Sequence, residues 1–145
     1  MSAAAQVVRA GGSIVIAAEC WDGIPEHGLY GELLRAAASP RALLDTIGAP
    51  GFLEQDQWEA QVQAQIQLKA DVYVRSDNLT DGQIRSALLL PSPRVEDTLA
   101  ELVRRYTNLV YSVAQRRVAS GALAEEVTQA VFLRLAEATP KVKCE

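Results

Sequence analysis

One histidine, two cysteines and no apolar run near the roughly 20 residues that cross a bilayer remove several classes of function from this chain. His27 alone cannot assemble a histidine-rich metal centre, so a complete zinc or nickel site built by this chain is not expected. Cys20 and Cys144 lie too far apart to suggest a chelate, which also argues against a disulfide framework. The N-terminus lacks a charged segment followed by an apolar one, and a cytoplasmic location is expected. Excess positive charge is missing too: 14 Lys and Arg against 18 Asp and Glu leave a net charge of −4. Nothing global therefore draws the chain to nucleic acid or an anionic membrane, and any such contact must be local.

What is present is a composition able to bury a core. Of 145 residues, 49% are apolar and 22% charged, with only 6 Pro and 9 Gly. That length suits one compact domain, or a small domain with a helical piece appended. The charge is divided unevenly. Residues 1–97 carry 7 basic and 13 acidic side chains, net −6, whereas residues 98–145 carry 7 and 5, net +2. Every glycine but Gly121, and every proline but Pro140, lies in the first part. Leu90-Pro91-Ser92-Pro93 disfavours helix before each proline and marks a break, which places the boundary between Pro91 and Tyr106.

The first part alternates helix and strand. A short helix is expected over 2–9, stopped by Gly11-Gly12. Ser13 to Ala18 reads as a strand buried on both faces, because its run of Ile and Val is continuous. Helices follow over 28–38 and 39–47, the latter with Ser39 as N-cap, Pro40 in first position and Gly48 at its end. Residues 54–70 predict a longer helix with one apolar stripe through Trp58, Val62, Gln65 or Ile66, and Lys69, beside a glutamine-rich face. Alternation over Asp71–Ser76 gives a second strand. The fold class expected is α/β, a partial layered sheet with flanking helices, followed by an α-helical hairpin. Two clear strands leave that sheet incomplete, with an edge in need of cover.

Ala18-Glu19-Cys20-Trp21-Asp22-Gly23-Ile24-Pro25-Glu26-His27-Gly28, followed by Glu54-Gln55-Asp56-Gln57-Trp58-Glu59-Ala60-Gln61, resembles the C-terminal domain of the nickel-pincer lactate racemase family. The likeness extends from residue 1 to about 104. It implies an isomerase that interconverts D- and L-2-hydroxy acids by passing a hydride to and from a nickel-pincer nucleotide, with two histidines as base and acid. It also implies that the pincer lysine, the nickel ligand and the acid–base pair belong to an N-terminal domain with no counterpart here. A Tyr-Gln and Lys cluster that contacts substrate is expected just before Met1. This chain alone is accordingly expected to bind no cofactor, to need that missing N-terminal domain as partner, and to be inactive in isolation. Trp58 is the pocket residue that carries over, as an apolar wall with an indole donor facing a 2-hydroxy acid; Gln57 is its candidate neighbour. Glu26-His27 sits in a turn-rich loop after a strand, where ligands often bind, though one unpaired imidazole specifies neither metal nor triad.

The last part is different. Leu102, Val103, Tyr106, Leu109, Val110, Val113 and Val118 recur with helical period, Ser120-Gly121 interrupts, and Leu123, Val127, Val131, Phe132 and Leu135 form a second apolar face. Two such helices with a short link make an antiparallel hairpin. Arg105-Tyr106-Thr107-Asn108-Leu109-Val110-Tyr111-Ser112-Val113-Ala114, then Leu123-Ala124-Glu125-Glu126-Val127-Thr128-Gln129-Ala130-Val131-Phe132-Leu133-Arg134-Leu135, resembles the start of region 2 of an extracytoplasmic-function RNA polymerase sigma factor. In that family the second helix binds the clamp helices of the polymerase core, which implies Glu126, Gln129 and Arg134 as contact positions. Glu126 stands where the family usually has Asp, and Ala130 where it often has Glu. The helices that melt and read the promoter would begin after Pro140, so no direct DNA contact is expected.

The domains expected are thus 1–97, racemase-like and truncated in front, and 98–145, sigma-region-2-like and truncated behind. Leu99 to Tyr106 suits either family. Two reading frames joined inside that stretch are expected, with a two-domain regulator as the alternative. The function expected first is a racemase-like C-terminal fragment that contributes a substrate-cleft wall; the second is a polymerase-binding module in transcription initiation.

Overall fold

A computed structural model describes residues 1–25 and 28–138. They fall into two compact units, Met1–Thr98 and Leu99–Glu145. The first unit runs α1 (Ser2–Val7), β1 (Gly12–Ala17), α2 (Tyr30–Ala36), α3 (Pro40–Ile47), α4 (Gln57–Lys69), β2 (Ala70–Arg75), α5 (Asp81–Ser86) and β3 (Leu90–Pro91). From there α6 (Val95–Gln115) leads into the second unit, which α7 (Gly121–Ala138) completes. Glu26 and His27 lie outside the described residues.

The sheet has three parallel strands in the order β1-β2-β3. β1 pairs with β2 from Gly12 opposite Ala70 to Ala17 opposite Arg75. Along β2 the side chains alternate, with Ala70, Val72 and Val74 buried and their neighbours half-buried, as one covered face requires. Two expectations change here. β1 is not buried on both faces: only Ile14 is fully covered, because β1 is an outer strand. The Leu90-Pro91 segment is not merely a break, since it supplies the third strand, pairing Tyr73 with Leu90 and Val74 with Pro91. Proline fits an outer strand, where its missing N–H interrupts no inner ladder. The amide of Ser92 then extends the pairing by donating to the Val74 carbonyl at 2.8 Å.

Helix starts follow local chemistry. Ser39 accepts the Ala42 amide at 3.1 Å and Pro40 takes the first position of α3. Thr80 and Gln83 form a reciprocal capping box that begins α5.

The core has two parts, and α4 serves both. Ala60 and Ala64 pack with Leu34, Leu43, Ile47 and Ala87, while Ile66 joins Ile14, Ala70 and Val72 beside α1. Small residues at 60 and 64 allow α3 to approach closely. α4 therefore turns its alanines inward, and the expected stripe splits: Ile66 is buried, whereas Trp58 and Val62 are exposed.

In the second unit Ala114, Ala124 and Thr128 are buried, and the Tyr111 hydroxyl lies 3.6 Å from where a Cβ on Gly121 would stand. The Tyr111 hydroxyl thus lies beside the first residue of α7.

Candidate functional site

Trp58 occupies the second position of α4, with 64% of its surface exposed. A large aromatic left this open is not core material. It borders a depression of about 230 Å³ whose other walls are Tyr30, Glu59, Val62, Gln63 and Ile66, with Met1 and Ser2 on the rim. The 58, 59, 62, 63, 66 spacing is that of one helix side, so α4 forms the floor and Tyr30 of α2 the opposing wall.

Gln57 is placed differently. Its side-chain oxygen accepts the Glu54 amide at 2.8 Å, so it closes the turn that leads into α4 and does not line the depression.

Two residues that the sequence reading passed over give the site its polar chemistry. The Tyr30 hydroxyl donates to Gln63 Oε1, and Gln63 Nε2 donates to the Ala87 carbonyl at 2.7 Å. One turn further on, the Gln67 amide donates to the carbonyl of Leu88. Leu88 has φ +60°, a left-handed conformation that costs energy in a branched residue, so the two glutamines clamp a strained turn between α5 and β3. Burial raises the Tyr30 phenol above its usual range, and the nearby Glu59 carboxylate raises it further. Tyr30 stands at the wall of the depression as a neutral hydroxyl donor, as a phenol does near pH 7. The available signal was Gln63 itself, flanked by small residues on a helix whose alanines mark the inner face.

A glycine sets the loop that brings α2 to this place. Gly28 has φ +76°, and a Cβ there would collide with the Asp56 carboxylate, which accepts the Leu29 amide at 3.2 Å. The residue before α4 thus tethers the start of α2.

A second depression, of about 320 Å³, lies at the C-terminal ends of β1 and β2 among Ala17, Ala18, Glu19, Arg75, Ser76 and Asp77. Open parallel sheets often take ligands at that end. Here the polar groups engage one another: Arg75 bonds the Ser76 carbonyl and pairs with Asp77. The Glu19 carbonyl accepts from Ser76 and Asn78, and the Glu19 carboxylate accepts from the Trp21 indole.

In the second unit, Glu126, Gln129 and Arg134 are all exposed on α7. Glu126 and Gln129 are one turn apart; Arg134 lies about two turns beyond Glu126 and rotated from it by roughly 80°.

Comparison with known proteins supplies the kinship. The family model for sigma-70 region 2 matches residues 102–145. The lactate racemase of Thermoanaerobacterium thermosaccharolyticum is 30% identical over 101 residues, which cover 68% of this chain and 24% of that protein. The solved structure of the lactate racemase apoprotein from the same organism superposes with a TM-score of 0.62 at 28% identity, covering 70% of this chain and 25% of that one. The chain thus spans about a quarter of the length of these relatives. With the lactate racemase C-terminal domain model matching residues 1–113, and with an α/β layer that superposes on a solved racemase, the chain belongs to the lactate racemase C-terminal domain family.

Proposed function

We propose that residues 1–97 act as the C-terminal domain of a nickel-pincer-dependent 2-hydroxy acid racemase, an isomerase, and that Trp58 forms one wall of its substrate cleft. The supporting observation is an exposed tryptophan over a depression in a racemase-family fold. Racemisation moves a hydride from carbon while a proton leaves the hydroxyl, and the resemblance assigns that chemistry to the preceding domain. Among the described residues no three His, Cys, Asp or Glu side chains converge in a way that could hold a metal ion. The donor set of the described residues does not fit the nickel group.

What these residues can do is orient and exclude water. The indole of Trp58, with Val62 and Ile66, offers an apolar surface to a small alkyl group. The Glu59 carboxylate on the same wall repels a second anion, so the substrate carboxylate faces away from α4 and its alkyl end toward Trp58. Gln57 supports the entry turn of α4 from behind. The work is that of a cytoplasmic protein; among the described residues no helix is long and apolar enough to cross a membrane.

The test is complementation. The chain alone, with cofactor supplied, should racemise neither D- nor L-lactate, and adding it to a separately produced racemase N-terminal domain should restore turnover. In that mixture Trp58→Ala should raise KM by about tenfold, the effect of losing roughly 1.4 kcal/mol of apolar contact. Turnover by the chain alone, or an N-terminal domain indifferent to it, overturns the reading.

A second reading has one observation in its favour, the sigma-70 region 2 match over residues 102–145. It makes α7 a polymerase-binding helix through Glu126, Gln129 and Arg134. Retention of the chain by RNA polymerase core, lost in Gln129→Ala combined with Arg134→Ala, tests it.

A further inference from the structure

Tyr30 and Glu59 offer the Trp58 depression acceptors and no donor, and Gln63 is the reason on the tyrosine side. Gln63 Nε2 lies 2.7 Å from the Ala87 carbonyl, an oxygen with no proton to give, so the amide must turn its nitrogen there and its Oε1 to Tyr30. Tyr30 therefore directs its single proton at Gln63, and its oxygen keeps only a lone pair for the depression. Glu59, next to Trp58 on α4, adds a carboxylate whose charge reaches the Tyr30 phenol. Among the described residues no Lys or Arg pairs with that carboxylate. The Trp58 indole N–H likewise makes no hydrogen bond among the described residues. The wall thus holds two acceptors and one donor around an aromatic ring. A carboxylate could use only the donor and an ammonium only the acceptors, whereas hydroxyl groups use both.

We propose that the acid received by this wall is a polyhydroxy 2-hydroxy acid, its tail hydroxyls donating to Tyr30 and Glu59 while the C–H edge of the tail lies on the Trp58 ring. The inference rests on the racemase reading and narrows it to a substrate class. Room agrees with it: the depression measures about 230 Å³, whereas the methyl group of lactate is about the size of a water molecule, whose share of the liquid is roughly 30 Å³. Charge agrees too. In lactate the methyl group and the carboxylate share one carbon, so a methyl at Trp58 holds the anion close to Glu59, and a longer tail carries it away.

Glu59→Gln separates the two demands on the wall, at an exposed position where folding is not at stake. The chain is mixed with a separately produced racemase N-terminal domain and cofactor. Wild type should then invert C2 of D-gluconate with kcat/KM about tenfold above that for 2-hydroxyhexanoate, which has the same length and no tail hydroxyls. Glu59→Gln should raise KM for gluconate, by loss of a charged acceptor, and lower it for lactate, by relief of repulsion; a merely structural side chain would move both the same way. Tyr30→Phe should raise KM for gluconate about threefold and leave 2-hydroxyhexanoate unchanged. In the same mixture without cofactor, gluconate should shift the Trp58 indole N–H resonance, identified with a Trp21→Phe chain, and 2-hydroxyhexanoate should shift it less. Equal use of gluconate and 2-hydroxyhexanoate overturns the proposal, as do KM changes of one sign in Glu59→Gln or a Trp58 resonance that gluconate does not move. Turnover of lactate with gluconate refused defeats this inference alone; no turnover of any of these acids defeats the racemase reading beneath it.

Discussion

Replacing Gln63 with leucine should destabilise the first unit more than its place on a glutamine-rich helix would suggest. Gln63 is only 4% exposed, and its two side-chain ends serve different partners, the Tyr30 hydroxyl and the Ala87 carbonyl. The losses are unequal. The Ala87 carbonyl belongs to a residue that is itself buried, so its acceptor is left without a donor at a cost of about 1–3 kcal/mol. Tyr30 borders the depression and can turn its hydroxyl to water, which limits that loss to about 0.5–1 kcal/mol. The sum is about 1.5–4 kcal/mol, a large share of the roughly 5–15 kcal/mol that holds a domain together. Urea unfolding of wild type, Gln63→Leu, Tyr30→Phe and the double variant forms a cycle whose coupling energy should fall between about 0.5 and 2 kcal/mol. A Gln63→Leu loss below about 0.5 kcal/mol, or a coupling of zero, would refute the claim that this network clamps α2 and the turn after α5 to α4.

Other consequences are separable from that one. Trp58→Ala should change unfolding free energy by no more than about 0.5 kcal/mol, because an exposed side chain contributes little to the core; a loss of 2 kcal/mol or more would return Trp58 to a packing role. Leu43→Ala should cost about 2–5 kcal/mol, since Leu43 is fully buried between α3 and α4, and thermal unfolding should show the largest shift at this site. The raised Tyr30 phenol makes stability depend on alkaline pH. Above the ordinary tyrosine value near 10, the unfolded chain releases the proton while the folded one retains it, so stability is full below that pH and declines as pH rises toward the folded value. Unfolding measured between about pH 9 and 11.5 should fall more steeply for wild type than for Tyr30→Phe, and parallel slopes would contradict the assignment.

Much of the first unit was legible residue by residue. Ser39-Pro40 announces a helix start because a hydroxyl and a fixed φ act locally, and the Ile-Val run at 14–16 announces a strand for the same reason. α5 was legible too, through Thr80 and Gln83 at capping-box spacing, but was passed over beneath the stronger signals of its neighbours. β3 was not legible, since two residues contain no period and proline argues against an inner strand. Gln57 reads as a cleft residue beside Trp58 until the turn before α4 claims its side chain.

Local chemistry in the chain determined where most helices and strands begin and which families each part resembles. Which side of α4 faces inward was decided by tertiary packing alone. Helical period defines two faces without naming the buried one, and the choice fell to Ala60 and Ala64 because only small residues let α3 come close. That rotation carried Trp58 outward and Gln63 inward, and so made both the open depression and the buried hydrogen bonds behind it.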